Sequence, residues 1–233
     1  MFSATEFASR LSMRQDRWSL LKDFIAEWHG PLKRGDGYPA SELNAAEKRL
    51  GLKLPVALRE WYQLAGKRED VYAAQNYLVI PDELEIEEGL LEFYCENQGV
   101  VHWGVKPDDL RLPDPPVYLY DEGMDEEVQE ISLENGTVSE FALQMAICEI
   151  VITRGPLKLI LSSRNDENAI AKINMIKREY TYLGFPNWHW PNFPVCFFGA
   201  EDTLALTVED KWLYLAANTE TAHRTAKELL DLR

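Results

Sequence analysis

The chain has 233 residues, 46% hydrophobic and 27% charged, enough apolar material for one large globular domain or two small ones. Its net charge of −15 argues against nucleic acid as a partner, and no apolar run approaches the ~18 residues that a membrane span needs. The three cysteines, Cys95, Cys148 and Cys196, form no CxxC pair and no even set for a disulfide framework, and are read as small buried hydrophobes.

The amino terminus, MFSATEFASRLSMRQDRW, is amphipathic and mixed in charge. It lacks the apolar core and small-residue cleavage site of a signal peptide, which points to the cytoplasm. Phe7, Leu11, Trp18, Leu21, Ile25 and Trp28 recur at helical spacing and predict a helix over 5–28, ended by Gly30-Pro31. After a loop at Gly35–Pro39, Ser41 reads as the N-cap of a helix through Leu50, with Leu43, Ala46 and Leu50 inward and Gly51 in the C′ place. Leu54-Pro55 opens the next helix with Pro55 at its first position; Leu58, Trp61, Tyr62 and Ala65 form its apolar face and Gly66 closes it.

From Tyr77 the period shortens. Tyr77–Ile80 predicts a strand, and Gly89–Val105, GLLEFYCENQGVVHWGV, predicts two strands around a polar turn, Glu96-Asn97-Gln98-Gly99. A polar tip has little reason to be buried unpaired, so Asn97 or Gln98 is expected at the surface. The proline-dense stretch PDDLRLPDPP predicts an extended connection, followed by a strand at Val117–Tyr120. Val128, Glu130-Ile131 and Leu133 are read as resuming the sheet, and Glu134-Asn135-Gly136 as a turn. Ser139–Val151 predicts a well-buried helix, 157–161 a short helix or strand, and 166–178 a helix. PNWHWPNFP interrupts the pattern; then come a strand at 195–198, a hairpin of 203–208 with 211–217, and a closing helix over 219–232 capped by Thr219 or Thr221. The expected class is α+β: a single domain over 1–233, with a central, mostly antiparallel sheet flanked by helices, its core at about 37–153, an N-terminal helix and a C-terminal α/β extension over 155–233.

The charge is unevenly spread. Residues 69–153 hold 21 Asp or Glu against Lys106 and Arg111 alone, a balance of −19, while the remainder carries +4. One acidic cluster, Asp82, Glu83, Glu85, Glu87 and Glu88, precedes the hairpin; a second, Asp121, Glu122, Asp125, Glu126 and Glu127, follows the next strand. Either they are two solvated turns, or they form an anionic face that steers a basic partner. Trp103 and Tyr120 stand near these stretches as anchors for such a partner or as core residues, and Asn97 and Gln98 complete the candidate surface.

The order of these motifs resembles the SMI1/KNR4 family, the SUKH superfamily. Ser41-Glu42-Leu43 with Ala46-Glu47 and Leu50-Gly51, then Leu54-Pro55 and Trp61-Tyr62, the Gly66 turn, the 89–105 hairpin and Asp114-Pro115-Pro116-Val117 carry the resemblance, over roughly residues 37–153. Leu64-Ala65-Gly66-Lys67-Arg68 departs from it, since the family often has an aromatic residue and Asn-Gly there. The resemblance implies an α+β fold and a non-enzymatic role. Bacterial members resemble immunity proteins that neutralise toxins, many of them nucleases; fungal members are regulatory scaffolds; neither branch brings a shared catalytic residue.

Motifs for chemistry are weak. His29, His102, His189 and His223 show no ligand spacing, Trp188-His189-Trp190 included, so neither metal nor cofactor is expected. GxSxG, GxGxxG and GxxxxGK are absent, and no local feature marks a cysteine as activated. The expectation is a non-catalytic binding protein whose partner is a basic toxin domain. The alternatives are a scaffold of the same fold with a non-toxin partner, and a small hydrolase using a carboxylate pair such as Glu92 and Glu96.

Overall fold

The amino-terminal pattern folds as two helices, α1 (Ala4–Ser9) and α2 (Arg14–Trp28), where the sequence predicted one. The buried Arg17 guanidinium donates to the Leu11 carbonyl at 2.6 Å, so a side chain satisfies the carbonyl that a continuing helix would have used. The computed structural model describes residues 3–121, 131–154, 157–164, 166–185, 194–209 and 211–232. The chain divides into two units, residues 31–145 and residues 1–30 with 146–233.

In the 31–145 unit, α3 (Ala40–Leu50) and α4 (Val56–Ala65) occupy the two predicted stretches. Each begins slightly off its expected place. Pro39, with extended backbone, is the N-cap of α3, so Ser41 sits inside the first turn; Pro55 is the N-cap of α4 and not its first residue. Gly51 ends α3 at φ +70°, the left-handed cap that favours glycine. The α4 amide at Ala57, which has no partner within its helix, donates to the Pro113 carbonyl at 2.8 Å. A one-turn helix, α5 (Glu69–Tyr72), escaped the sequence reading; Arg68 beside it binds both Asp70 and Asp36.

The sheet of this unit is antiparallel. β1 (Asn76–Leu78), β3 (Leu90–Glu96), β4 (Val101–Val105), β5 (Val117–Asp121) and β6 (Ser132–Asn135) lie in that order, and β2 (Ile86–Glu87) pairs with β3. β1 pairs with the far end of β3 and β2 with its start, so together they make one interrupted edge. Glu134 and Asn135, expected in a turn, are the last residues of β6 and are buried. Val128 and Glu130 lie outside the described residues. α6 (Val138–Glu149) begins where Ser139 donates both its amide and its hydroxyl to Asp114, at 2.9 and 2.5 Å. The helices bury their apolar faces against the sheet around Trp61, which is fully buried with Tyr72, Phe93, Tyr94 and Phe141 at ring distances of 5.1 to 6.2 Å.

The other unit has its own antiparallel sheet. β7 (Leu157–Ser162), α7 (Ala169–Glu179), β8 (Thr181–Tyr182), β9 (Val195–Ala200), β10 (Thr203–Val208), β11 (Trp212–Ala217) and α8 (Glu220–Leu229) follow along the chain, and the strand order is β7-β11-β10-β9-β8. The strand alternative for 157–161 is the one realised, and the 203–217 hairpin and the Thr219 cap stand as predicted. One sheet face buries Leu161, Phe198, Ala205, Leu213 and Leu215 with Ile173 and Ile176 of α7 and Ala226 of α8. On the other face Phe197 meets Phe185, which meets Phe7 of α1. The fold is thus α+β with two antiparallel sheets, and none of the described helices is long and apolar enough to cross a membrane. The Trp188-His189-Trp190 stretch lies outside the described residues. Cys95 and Cys148 are buried as expected, whereas Cys196 is half-buried; all three are free thiols.

Candidate functional site

In a regular strand, residues three apart point to opposite faces, so Glu92 and Cys95 would be separated by the sheet. The β3–β4 register breaks that rule. Glu92 faces Gly104, Tyr94 faces Trp103 and Cys95 faces His102, with a bulge between Glu92 and Tyr94. Phe93 and Tyr94 therefore both turn inward, each packing on Trp61 and Phe141. The extra residue returns Glu92 and Cys95 to the same, outer face, where His102 stands directly across from Cys95.

The three side chains meet there. His102 Nδ1 is 2.9 Å from Glu92 Oε1 and 3.5 Å from Cys95 Sγ. His102 Nε2 is 2.9 Å from the Gly99 carbonyl, to which it donates. The hairpin tip holds that carbonyl in place: Glu96 accepts from the Gln98 amide at 2.7 Å and from Gln75 Nε2 at 3.1 Å, and the Gly99 amide donates to the Glu96 carbonyl at 2.9 Å. Gly99 has φ +72°, which a residue with a side chain adopts only with strain. Hydrogen bonds to Cys95 and then Glu92 favour the imidazolium and outweigh burial, pushing the His102 pKa up to about 11. Tyr77 of β1 is the cross-strand partner of Cys95 on its other side. Beside the cluster is a small cleft lined by Glu87, Leu90, Glu92, His102, Trp103 and Tyr120, whose free volume of about 10 Å³ is that of a single water and far below a small-molecule pocket.

The first acidic cluster lies along the interrupted edge. Asp82, Glu83, Glu85, Glu87 and Glu88 are all exposed, and Glu88 with Gly89 makes the tight β2–β3 turn, both at positive φ. Apolar side chains are exposed among them: Tyr77 at 41%, Ile80 at 43% and Ile86 at 48%. Asn97 and Gln98 are exposed at the hairpin tip, as expected of a polar turn. Of the second cluster, Asp121 ends β5 half-buried, and Glu122, Asp125, Glu126 and Glu127 lie outside the described residues.

Two expected site residues need correction. Trp103 is fully buried, packed on Tyr94 and Phe141, and Tyr120 is 6% exposed with its ring 6.0 Å from His102. Of the two roles the sequence left open, Trp103 has the core role, because its β4 position faces the helices. Glu96 is buried, its carboxylate accepting from the Gln98 amide within the hairpin turn. The sequence reading missed Glu92–Cys95–His102 as a group. The consecutive aromatics Phe93-Tyr94 in a strand were the one available sign of a bulge. No family model, curated protein or solved structure matches the chain.

Proposed function

We propose that this protein is a binding protein for a basic partner, engaged through the acidic outer edge of the 31–145 unit. The observation that carries this reading is the edge itself. Five carboxylates in seven positions, 82–88, are exposed with Ile86 open between them and Ile80 just before them. Carboxylates steer a cationic surface over long range, and exposed apolar side chains within the same patch supply contact area once it arrives. The unit carries nearly all of the negative charge of the chain: 24 acidic against 10 basic residues in 31–145, and 15 against 14 elsewhere. The resemblance to the SMI1/KNR4 family supports a more specific form of this reading, in which the partner is a bacterial toxin domain and the protein confers immunity by covering its basic cleft.

The test is co-purification from the native cell, identification of the partner, and stopped-flow binding at two salt concentrations. The Debye length falls from ~30 Å at 0.01 M to ~10 Å at 0.1 M, so the on-rate should drop across that range. Changing Asp82 to Asn and Glu83, Glu85, Glu87 and Glu88 to Gln should lower the low-salt on-rate by about tenfold or more and flatten its salt dependence. An on-rate indifferent to both salt and these changes would overturn the reading. A growth assay with the identified partner expressed alone and together with this protein then separates toxin immunity from scaffolding.

A further inference from the structure

We propose that Glu92, Cys95 and His102 form a three-ligand site for a zinc ion, with its fourth position open to the adjoining cleft. The donor atoms are a carboxylate oxygen, a thiol sulfur and an imidazole nitrogen, all within 4.8 Å of one another. That mixture suits zinc, which takes sulfur, nitrogen and oxygen together, and does not suit magnesium or calcium, which prefer oxygen throughout.

The distances fit. With zinc–sulfur at ~2.3 Å and zinc–nitrogen at ~2.05 Å, tetrahedral geometry separates the sulfur and nitrogen by about 3.6 Å. The Cys95 Sγ to His102 Nδ1 distance is 3.5 Å. The nitrogen and oxygen ligands should stand about 3.3 Å apart, against 2.9 Å for His102 Nδ1 to Glu92 Oε1, so the carboxylate needs to withdraw by only a few tenths of an ångström.

A second, independent feature points the same way. The Gly99 carbonyl accepts from His102 Nε2 at 2.9 Å, which fixes the ring and directs Nδ1 toward Glu92 and Cys95. A backbone carbonyl on the remote ring nitrogen is the support that metal-binding histidines commonly have. Two ligands come from β3 and one from β4, and the bulge at Phe93 is what puts all three on one face. Rigid sheet positions hold ligands better than loops do. The cleft against Glu92 and His102 leaves room for a water as the fourth ligand. Zinc takes its cysteine ligand as the thiolate and its histidine ligand as the neutral imidazole, so uptake is coupled to proton release.

The experiment uses the full chain, stripped of metal and titrated with Zn²⁺, and separately with Co²⁺ as a spectroscopic probe. Equilibrium dialysis with elemental analysis should give one tightly held zinc per chain. Cobalt should produce a sulfur-to-metal charge-transfer absorption and the visible bands of a four-coordinate site. Cys95→Ser should abolish the charge-transfer absorption and weaken zinc binding at least tenfold. Cys95 is buried, so Glu92→Gln, an isosteric change at a partly buried position, is the second variant; it should weaken binding at least tenfold while circular dichroism stays that of the parent. Zinc held equally well by both variants would overturn the proposal, because the ion would then be resting on surface carboxylates. Sub-stoichiometric binding by the parent, or cobalt spectra without the sulfur band, would overturn it too.

Discussion

The two units of this chain differ in charge and in the side chains that fill them. Residues 31–145 carry −14 of the net −15, and residues 1–30 with 146–233 carry −1. The acidic unit is built around a knot of aromatic rings, Trp61, Tyr72, Phe93, Tyr94, Trp103 and Phe141. The near-neutral unit fills the helix-covered face of its sheet largely with aliphatic side chains, Leu161, Ile173, Ile176, Leu213 and Leu215 among them. Self-repulsion among like charges works against a compact state. A unit that concentrates negative charge therefore needs a strong interior, and a closely packed aromatic knot provides one. On this comparison the acidic unit holds both the proposed partner surface and the candidate metal cluster, and the neutral unit has no such charge to offset.

The largest expected effect comes from the knot. Trp61 has no solvent exposure and touches four rings, so Trp61→Ala leaves a cavity that backbone relaxation only partly closes. We expect a loss of about 3–5 kcal/mol and of most of the near-ultraviolet circular dichroism. Denaturant unfolding with Leu215→Ala, from the aliphatic face, alongside gives the reference. If Trp61→Ala costs less than Leu215→Ala, the acidic unit does not depend on its aromatic interior and that half of the comparison fails.

A smaller effect is expected at Glu47, where the acidic unit puts a carboxylate to structural use. Its side chain is 4% exposed and accepts from Arg59 at 2.7 Å, Lys53 at 2.7 Å and the Leu54 amide at 3.1 Å, which ties the end of α3 to the approach to α4. Burial works to raise its pKa, but the hydrogen bonds from Lys53, Leu54 and Arg59 prevail and hold it below the ordinary glutamate value. A carboxylate with a folded pKa below its unfolded value binds fewer protons when folded. Its contribution is therefore complete above pH ~4.5 and is lost as the pH falls through the folded pKa. Glu47→Gln should cost about 1–3 kcal/mol at pH 7 and show a shallower decline between pH 5 and 3 than the parent. Parallel acid profiles would mean that Glu47 is not among the groups that set acid stability.

The two units were also unequally legible in the sequence. The acidic unit is laid down by neighbouring segments: Leu90–Glu96 and Val101–Val105 pair across a Gly99 turn, and Gly51 marks a helix end, so local signals reached most of its elements, though not α5 or the end of β6. The neutral unit depends on distant pairing. β7 at Leu157–Ser162 bonds to β11 at Trp212–Ala217, and Asn218 reaches the Glu27 carbonyl at 3.2 Å. Nothing in the spacing of residues 1–30 announces that they belong with 146–233, because hydrophobic periodicity gives a face and not a partner for it. The site failed to show for a different reason. Reading β3 as a regular strand sends Glu92 and Cys95 to opposite faces, and only the bulge at Phe93 reverses that. The acidic edge was plain because charge needs no register.

The smallest effect tests the division of labour from the neutral side. Thr219 has extended backbone, φ −133° and ψ 152°, and its hydroxyl accepts from the Ala222 amide at 3.1 Å, so one otherwise unbonded donor at the start of α8 is satisfied. Thr219→Ala removes that acceptor and should cost about 1 kcal/mol, Thr219→Gly only a few tenths, since glycine lets water reach the freed amides. Hydrogen exchange should localise the loss to the first turn of α8, with Ala222 most affected, because helix ends open in local events below the global unfolding energy. The same variant should leave partner on-rate and zinc uptake at parental values, since neither the 82–88 edge nor Glu92, Cys95 and His102 belongs to that unit. If Thr219→Ala slowed association as much as removing the five carboxylates does, binding would draw on both units, and the charge contrast between them would be no guide to function.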